Sequence, residues 1–200
     1  MVASAAKQPE DQRRDAPLTL YARVLGISWL QVAEPLRFAH TPRSIVRAGG
    51  RLRVEHGRTH GARLLARLLG LPRASDASDA RLIVTSVADG ERWLRTFDDR
   101  PFDSRQYQTG ESQLAERIGL LEFRFRLAAS GGSLLFRQVG AAIVLGPVRL
   151  RLPAACAPIV DAREDPAGAR QIRIYVRVTL PLLGPVLTYG GTVDYEYTPA

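Results

Sequence analysis

Residues 121–127 read Leu-Glu-Phe-Arg-Phe-Arg-Leu, and residues 172–180 read Ile-Arg-Ile-Tyr-Val-Arg-Val-Thr-Leu. In both stretches apolar side chains alternate with mainly charged or polar ones. Successive side chains of a strand point to opposite faces, so this period of two describes a strand with one dry and one wet side. A helix would space its apolar residues three and four apart, and neither stretch does.

The same period extends in both directions. Leu52, Val54 and His56 alternate with Arg51, Arg53 and Glu55, and Val148, Leu150 and Leu152 alternate with Arg149 and Arg151. Residues 82–88 and 91–97 flank Asp89–Gly90, a favoured two-residue hairpin turn. Strands of more polar character are predicted over 102–109 and 113–118. Gly131–Gly132 turns the chain into Leu134, Phe136 and Gln138, and the last strand carries Val186, Tyr189, Val193, Tyr195 and Tyr197. Short links between about ten strands impose antiparallel neighbours, because a parallel crossover needs a dozen or more residues. A sheet that wide curls or closes under its own twist.

Helical spacing is confined to the first third. Pro17 suits a first helical turn, with Leu18, Tyr21, Val24 and Leu25 on one face and Gly26 as the stop. Ser28 with Gln31 resembles a capping box for a helix carrying Trp29, Leu30 and Val32, kinked at Pro35 before Leu36 and Phe38. From Thr59 to Gly70, Leu64, Leu65, Leu68 and Leu69 form an apolar stripe opposite Arg63 and Arg67. Residues 75–79 are small and polar, as a loop would be. The fold expected is α+β: a strongly curved, mostly antiparallel sheet of about ten strands, between half-barrel and near-closed barrel. The N-terminal helices and the Leu64–Leu69 helix pack on or cap its concave face. Residues 1–16 read as a disordered polar tail, and residues 17–200 as a single domain.

Composition bounds the chemistry. With 46% hydrophobic residues in 200, the chain is globular, and a domain of this size buries roughly 70% of the surface of its unfolded form. Cys156 stands alone, so no internal disulfide framework exists and a small buried apolar role is expected for it. Neither a signal peptide nor an apolar run long enough for a membrane helix occurs, which points to the cytoplasm. The net charge is +8, yet the arginines are spread along every strand and interleave with few aromatics. That is a solvated face rather than a nucleic-acid reader, so no specific nucleic-acid partner is expected. The Arg63/Arg67 helix allows weak contact with a membrane surface.

Catalytic motifs are missing. Glu55, His56 and His60 do not share a helix face, so no metal site is predicted. Lys7 is the only lysine and lies in the tail, leaving none for Schiff-base chemistry. The glycine pairs Gly49–Gly50, Gly131–Gly132 and Gly190–Gly191 precede no helix, so they are bulges or hairpins rather than phosphate cradles, and no cofactor is expected. Gln106, Tyr107, Gln108 and Glu116 put polar groups on strands with greasy neighbours. The speculative ligand-binding set is therefore Trp93, Phe97, Phe102, Arg105, Tyr107, Glu116, Phe123 and Phe125; the catalytic residues are unknown.

Several motifs together resemble a known family. They are Leu20–Tyr21 with Leu25–Gly26; the run from Ala62 to Pro72; Gly90–Glu91–Arg92–Trp93 with Arg95 and Phe97; Phe102 with Ser104–Arg105; Phe123 to Leu127; and Leu180 to Gly184 with Tyr189 and Gly191. The chain resembles the bacterial domain of unknown function 4166 over residues 20 to about 195, departing from it at 146–158 and after Gly191. That family occurs alone or fused to saccharopine-dehydrogenase-like reductases, and it transfers no catalytic residue. Three functions stay open. One is a β-cup binding an apolar or amphipathic, lipid-like small molecule. The second is a cyclase-, isomerase- or hydrolase-like enzyme using Glu116, Tyr107 or Arg105. The third, implied by the fusions, is an accessory or interaction domain for a reductase partner.

Overall fold

The computed structural model describes residues 19–41, 45–68 and 70–198. The expected tail, Pro17, Leu18, Ser44 and Leu69 lie outside these residues, as do the side chains of Leu68 and Tyr197. Eleven strands follow three short helical elements: β1 (Ile45–His56), β2 (Ser75–Val87), β3 (Gly90–Phe97), β4 (Arg100–Gly110), β5 (Gln113–Ile118), β6 (Leu121–Ser130), β7 (Ser133–Leu145), β8 (Val148–Arg151), β9 (Ile159–Gly168), β10 (Gln171–Leu180) and β11 (Gly184–Thr198).

The sheet runs β6-β5-β4-β3-β2-β1-β11-β10-β9-β7, and a β6–β7 pairing joins its two ends. Ten antiparallel strands thus close into a barrel, and β8 extends one edge of β7 as a hairpin. Closure uses the Leu121–Leu127 stretch: Leu121 to Arg124 pair with Ile143 to Gly140, and Phe125 to Leu127 with Gln138 to Phe136, across a register shift. The opposite edge of β7, Leu134 to Arg137, pairs with Glu164 to Asp161 of β9. Closure pairs the ten barrel strands on both sides and leaves a terminal edge only at the four-residue β8. The barrel walls need sharp coiling, and Gly50 shows why a glycine is required there: a Cβ would sit 2.3 Å from the Thr192 carbonyl oxygen.

Helix α1 (Leu20–Leu25) starts where the Thr19 hydroxyl accepts a hydrogen bond from the Ala22 amide. With a 3-10 turn at Gly26–Gln31 and helix α2 (Glu34–Ala39), it plugs one end of the barrel, the floor. Backbone bonds fix the plug: Ser112 N donates to Val24 O, and Ala33 N to Gly132 O. Leu20, Tyr21, Val24 and Leu36 are buried, each contributing roughly 2 kcal/mol. Helix α3 (His60–Leu68) crosses the opposite end, the rim, over β1 and β11. Among the described residues no helix is long and apolar enough to cross a membrane.

Several local expectations are corrected. Pro35 stands in the first turn of α2, where its missing N–H costs nothing, so it starts a helix instead of kinking one. The Ser28–Gln31 pair caps nothing; the 3-10 turn has no side-chain cap. Residues 75–79 belong to β2, because their backbone pairs with β1 while the Ser78 hydroxyl donates to Asp98. The β2–β3 turn is Ala88–Asp89, closed by Val87 opposite Gly90; the turn with two positive φ angles is Asp98–Asp99 in the next hairpin. On α3 the buried positions are Ala62 and Ala66, with Leu65 partly covered, whereas Leu64 projects outward. Cys156 sits exposed in a turn where its amide donates to Pro153 O.

Candidate functional site

The inward side chains do not fill the barrel. They surround a cavity of about 510 Å³ reaching from Tyr21 at the floor to Leu65, Leu71 and Leu120 at the rim. That volume lies in the range of small-molecule sites. Its walls are aliphatic and aromatic: Leu52 on β1, Leu82 on β2, Phe123 and Phe125 on β6, Ile174 and Val178 on β10.

Polar side chains are a minority of the lining, and several of them surround Tyr21 of the plug. On one wall Arg95 Nη1 donates to Glu116 Oε1 at 3.0 Å and to the Ser104 hydroxyl at 2.7 Å, and that hydroxyl donates to the same Glu116 oxygen at 2.7 Å. The guanidinium lies 4.9 Å from the centre of the Trp93 ring. Burial disfavours the Arg95 charge, but Glu116 beside it more than offsets this and holds the group protonated. Across the barrel Glu164 of β9 lies 2.6 Å from Nε2 of His40, which follows α2 and is wholly buried. Tyr21 stands between the walls. Its hydroxyl donates to Gln106 at 2.8 Å, and its ring stacks 3.8 Å from the His40 imidazole.

Behind this layer Trp93 Nε1 donates to Glu91 at 3.0 Å. Glu91 is buried, so its carboxyl is pushed above the usual range, and its Oε1 has no hydrogen-bond partner in the structure. Burial also raises the tyrosines. Tyr189, on the cavity wall, is pushed up to about 12, and Tyr21 and Tyr195 lie well above their ordinary value. These hydroxyls are neutral donors at physiological pH.

Six of the eight residues singled out from sequence line the cavity: Trp93, Phe97, Phe102, Glu116, Phe123 and Phe125. Arg105 and Tyr107 do not. The inward residues of β4 are Phe102, Ser104 and Gln106, so the odd positions point outside. Arg105 makes an exposed ion pair with Asp89. The Tyr107 hydroxyl donates to Glu122 within an outer cluster that also holds Arg124 and Arg149; burial first, then this bond, pushes it up to about 12. Sequence reasoning missed Arg95, Ser104, Glu164 and His40. The first two were within reach, because Trp93 and Phe97 share the face of Arg95. Among the described residues no three His, Cys, Asp or Glu side chains gather as metal ligands would.

The model of the family described as domain of unknown function DUF4166 matches residues 32–193. The chain belongs to the DUF4166 family. The matched span begins before α2 and ends within β11, so this DUF4166 domain contains the strands of its barrel and the His40–Glu164 pair inside the family's extent. No curated protein matches the sequence. A solved structure similar to it is a protein of unknown function from the DUF3598 family of Nostoc punctiforme, with 11% identity and a TM-score of 0.43. That alignment covers 76% of this chain and 46% of the other.

Proposed function

We propose that this DUF4166 domain binds an apolar or amphipathic small molecule inside its barrel. The observation that carries the reading is a 510 Å³ cavity with mainly aliphatic and aromatic walls, into which the paired Arg95 and Glu116 and the His40-bound Glu164 also face. A ligand with an apolar body that fills this space gains dispersion contacts with its lining and removes apolar surface from water. An apolar body lies along Leu52, Phe123 and Ile174, and a polar head meets Arg95, Glu116 or Glu164. The test is a titration of the purified chain with Nile red, followed by displacement with long-chain alcohols, amines and acids. Saturable uptake of one probe per chain, reversed by a competitor, is the expected result. A chain that takes up no probe and retains no competitor ends the proposal.

A second reading has its own observation. Glu164 lines the cavity with one oxygen held by the buried His40 imidazole. A carboxyl group positioned this way on a cavity wall suits general acid–base work, such as moving a proton between two carbons of a bound enone. Deuterium incorporation from solvent into a long-chain enone, lost in Glu164→Gln while binding persists, supports it. Exchange at the uncatalysed rate removes it.

A further inference from the structure

We propose that the rim of the barrel is a docking surface for an anionic lipid bilayer. This surface lies on the outside of the molecule and is independent of what fills the cavity. Among the described residues, seven of the twelve exposed large hydrophobic ones lie at this one end. The strand order sets them on a continuous arc: Leu64 on α3 above β1 and β11, Leu182 in the β10–β11 turn, Ile159 opening β9, then Leu145, Val148 and Leu150 of the β7–β8 hairpin, and Leu120 in the β5–β6 turn. Leu182 is 87% exposed and Leu64 59%. Main-chain and side-chain contacts tie the arc together, with Val144 N donating to Leu120 O and Gly61 lying against Leu183.

Charge selects the partner. The four segments of the arc, residues 57–72, 117–121, 145–159 and 180–186, contain no Asp or Glu and six arginines: Arg58, Arg63, Arg67, Arg117, Arg149 and Arg151. Arg149 is paired with Glu122, and the other five make no ion pair among the described residues. The other half of the rim, residues 73–79 and 97–103, carries five aspartates and two arginines. One half therefore presents aliphatic side chains among unpaired cations, and the other repels an anionic surface. Aliphatic side chains enter the acyl boundary while arginines meet anionic headgroups, which is the chemistry of interfacial binding. The same end holds the cavity mouth, at Leu65, Leu71 and Leu120.

The test is cosedimentation of the full chain with sucrose-loaded vesicles of phosphatidylcholine alone or mixed with phosphatidylglycerol. Binding to the mixed vesicles at least tenfold above the neutral ones, weakening with salt, is expected. Charge reversal in Arg63→Glu/Arg67→Glu should lower partitioning, each lost arginine costing on the order of fivefold. Leu182→Glu/Leu150→Glu should lower it at least tenfold, while Ile27→Glu at the floor end should leave it unchanged. Equal partitioning to both vesicle types, no sedimentation, or the same loss in Ile27→Glu overturns the proposal. So does a concentration-dependent dimer dispersed by Leu182→Glu in a chain that ignores vesicles, which would assign the face to a second copy.

Discussion

His40 and Glu164, separated by 124 positions in sequence, meet at 2.6 Å where the helical plug touches strand β9. This contact joins the element that stoppers the barrel to one of the strands that completes its circumference. His40 is fully buried and the Glu164 side chain 13% exposed. Removing one partner of such a pair leaves the other stranded in a low dielectric. His40→Ala should therefore lower unfolding stability by about 3 kcal/mol in urea titrations. A loss under about 1 kcal/mol would show that the backbone bonds and apolar packing hold plug to wall without help from this pair.

Glu91 gives a pH signature. Burial raises its folded-state pKa above the ordinary 4.5, opposed in part by His40 and by the bond from Trp93. The folded state then holds a proton that the unfolded chain releases, so this group's contribution to stability falls as pH rises upward from about 4.5. Glu91→Gln keeps an acceptor for Trp93 and removes the titration. Its stability relative to the natural chain should grow between pH 4.5 and 8 in parallel urea series. Curves that stay parallel across that range contradict the assignment.

Tyr189 provides the alkaline counterpart. Burial pushes its hydroxyl from about 10 to about 12, with Arg95 opposing. The neutral phenol is favoured in the fold, so its contribution is present below pH 10 and lost as pH climbs towards 12. In Tyr189→Phe the fall in stability over that window should be shallower, by roughly 2 kcal/mol at the upper end. An unchanged slope would place the phenol in contact with water.

The faces of β4 and β6 can be told apart by binding. Arg105→Ala removes an exposed ion pair with Asp89, an interaction worth about 0–1 kcal/mol, and should leave Nile red affinity unchanged. Phe125→Ala removes a cavity-lining ring that is 3% exposed and should weaken it several-fold, with about 3 kcal/mol lost in stability. The reverse ranking in fluorescence titrations would mean that ligands bind outside the barrel.

How far the sequence carried these conclusions depended on how one-sided each strand is. Leu121–Leu127 and Ile172–Leu180 place large apolar residues on one face, and their alternation specifies antiparallel, curling sheet from the sequence alone. Strand β9 was invisible because its inward positions, Val160, Ala162 and Glu164, leave the cavity open instead of filling it. For the same reason the site was half visible. Its aromatic walls announce themselves, while Arg105 and Tyr107 were assigned by residue type when the parity of Phe102 would have turned them outward. His40 and Glu164 carry no local signal, since their partnership exists only once the cylinder closes.

The most direct test of a ligand-holding barrel is native mass spectrometry of freshly purified chain beside Ala162→Trp. Ala162 faces the cavity from β9, so an indole there fills empty space without displacing wall residues. An adduct is expected on the natural chain that organic solvent strips away, or that appears when a long-chain alcohol is added, and it should be lost in a folded Ala162→Trp variant. A chain that stays bare under both conditions, or a variant that retains the adduct as well as the natural protein, would contradict a ligand-holding barrel.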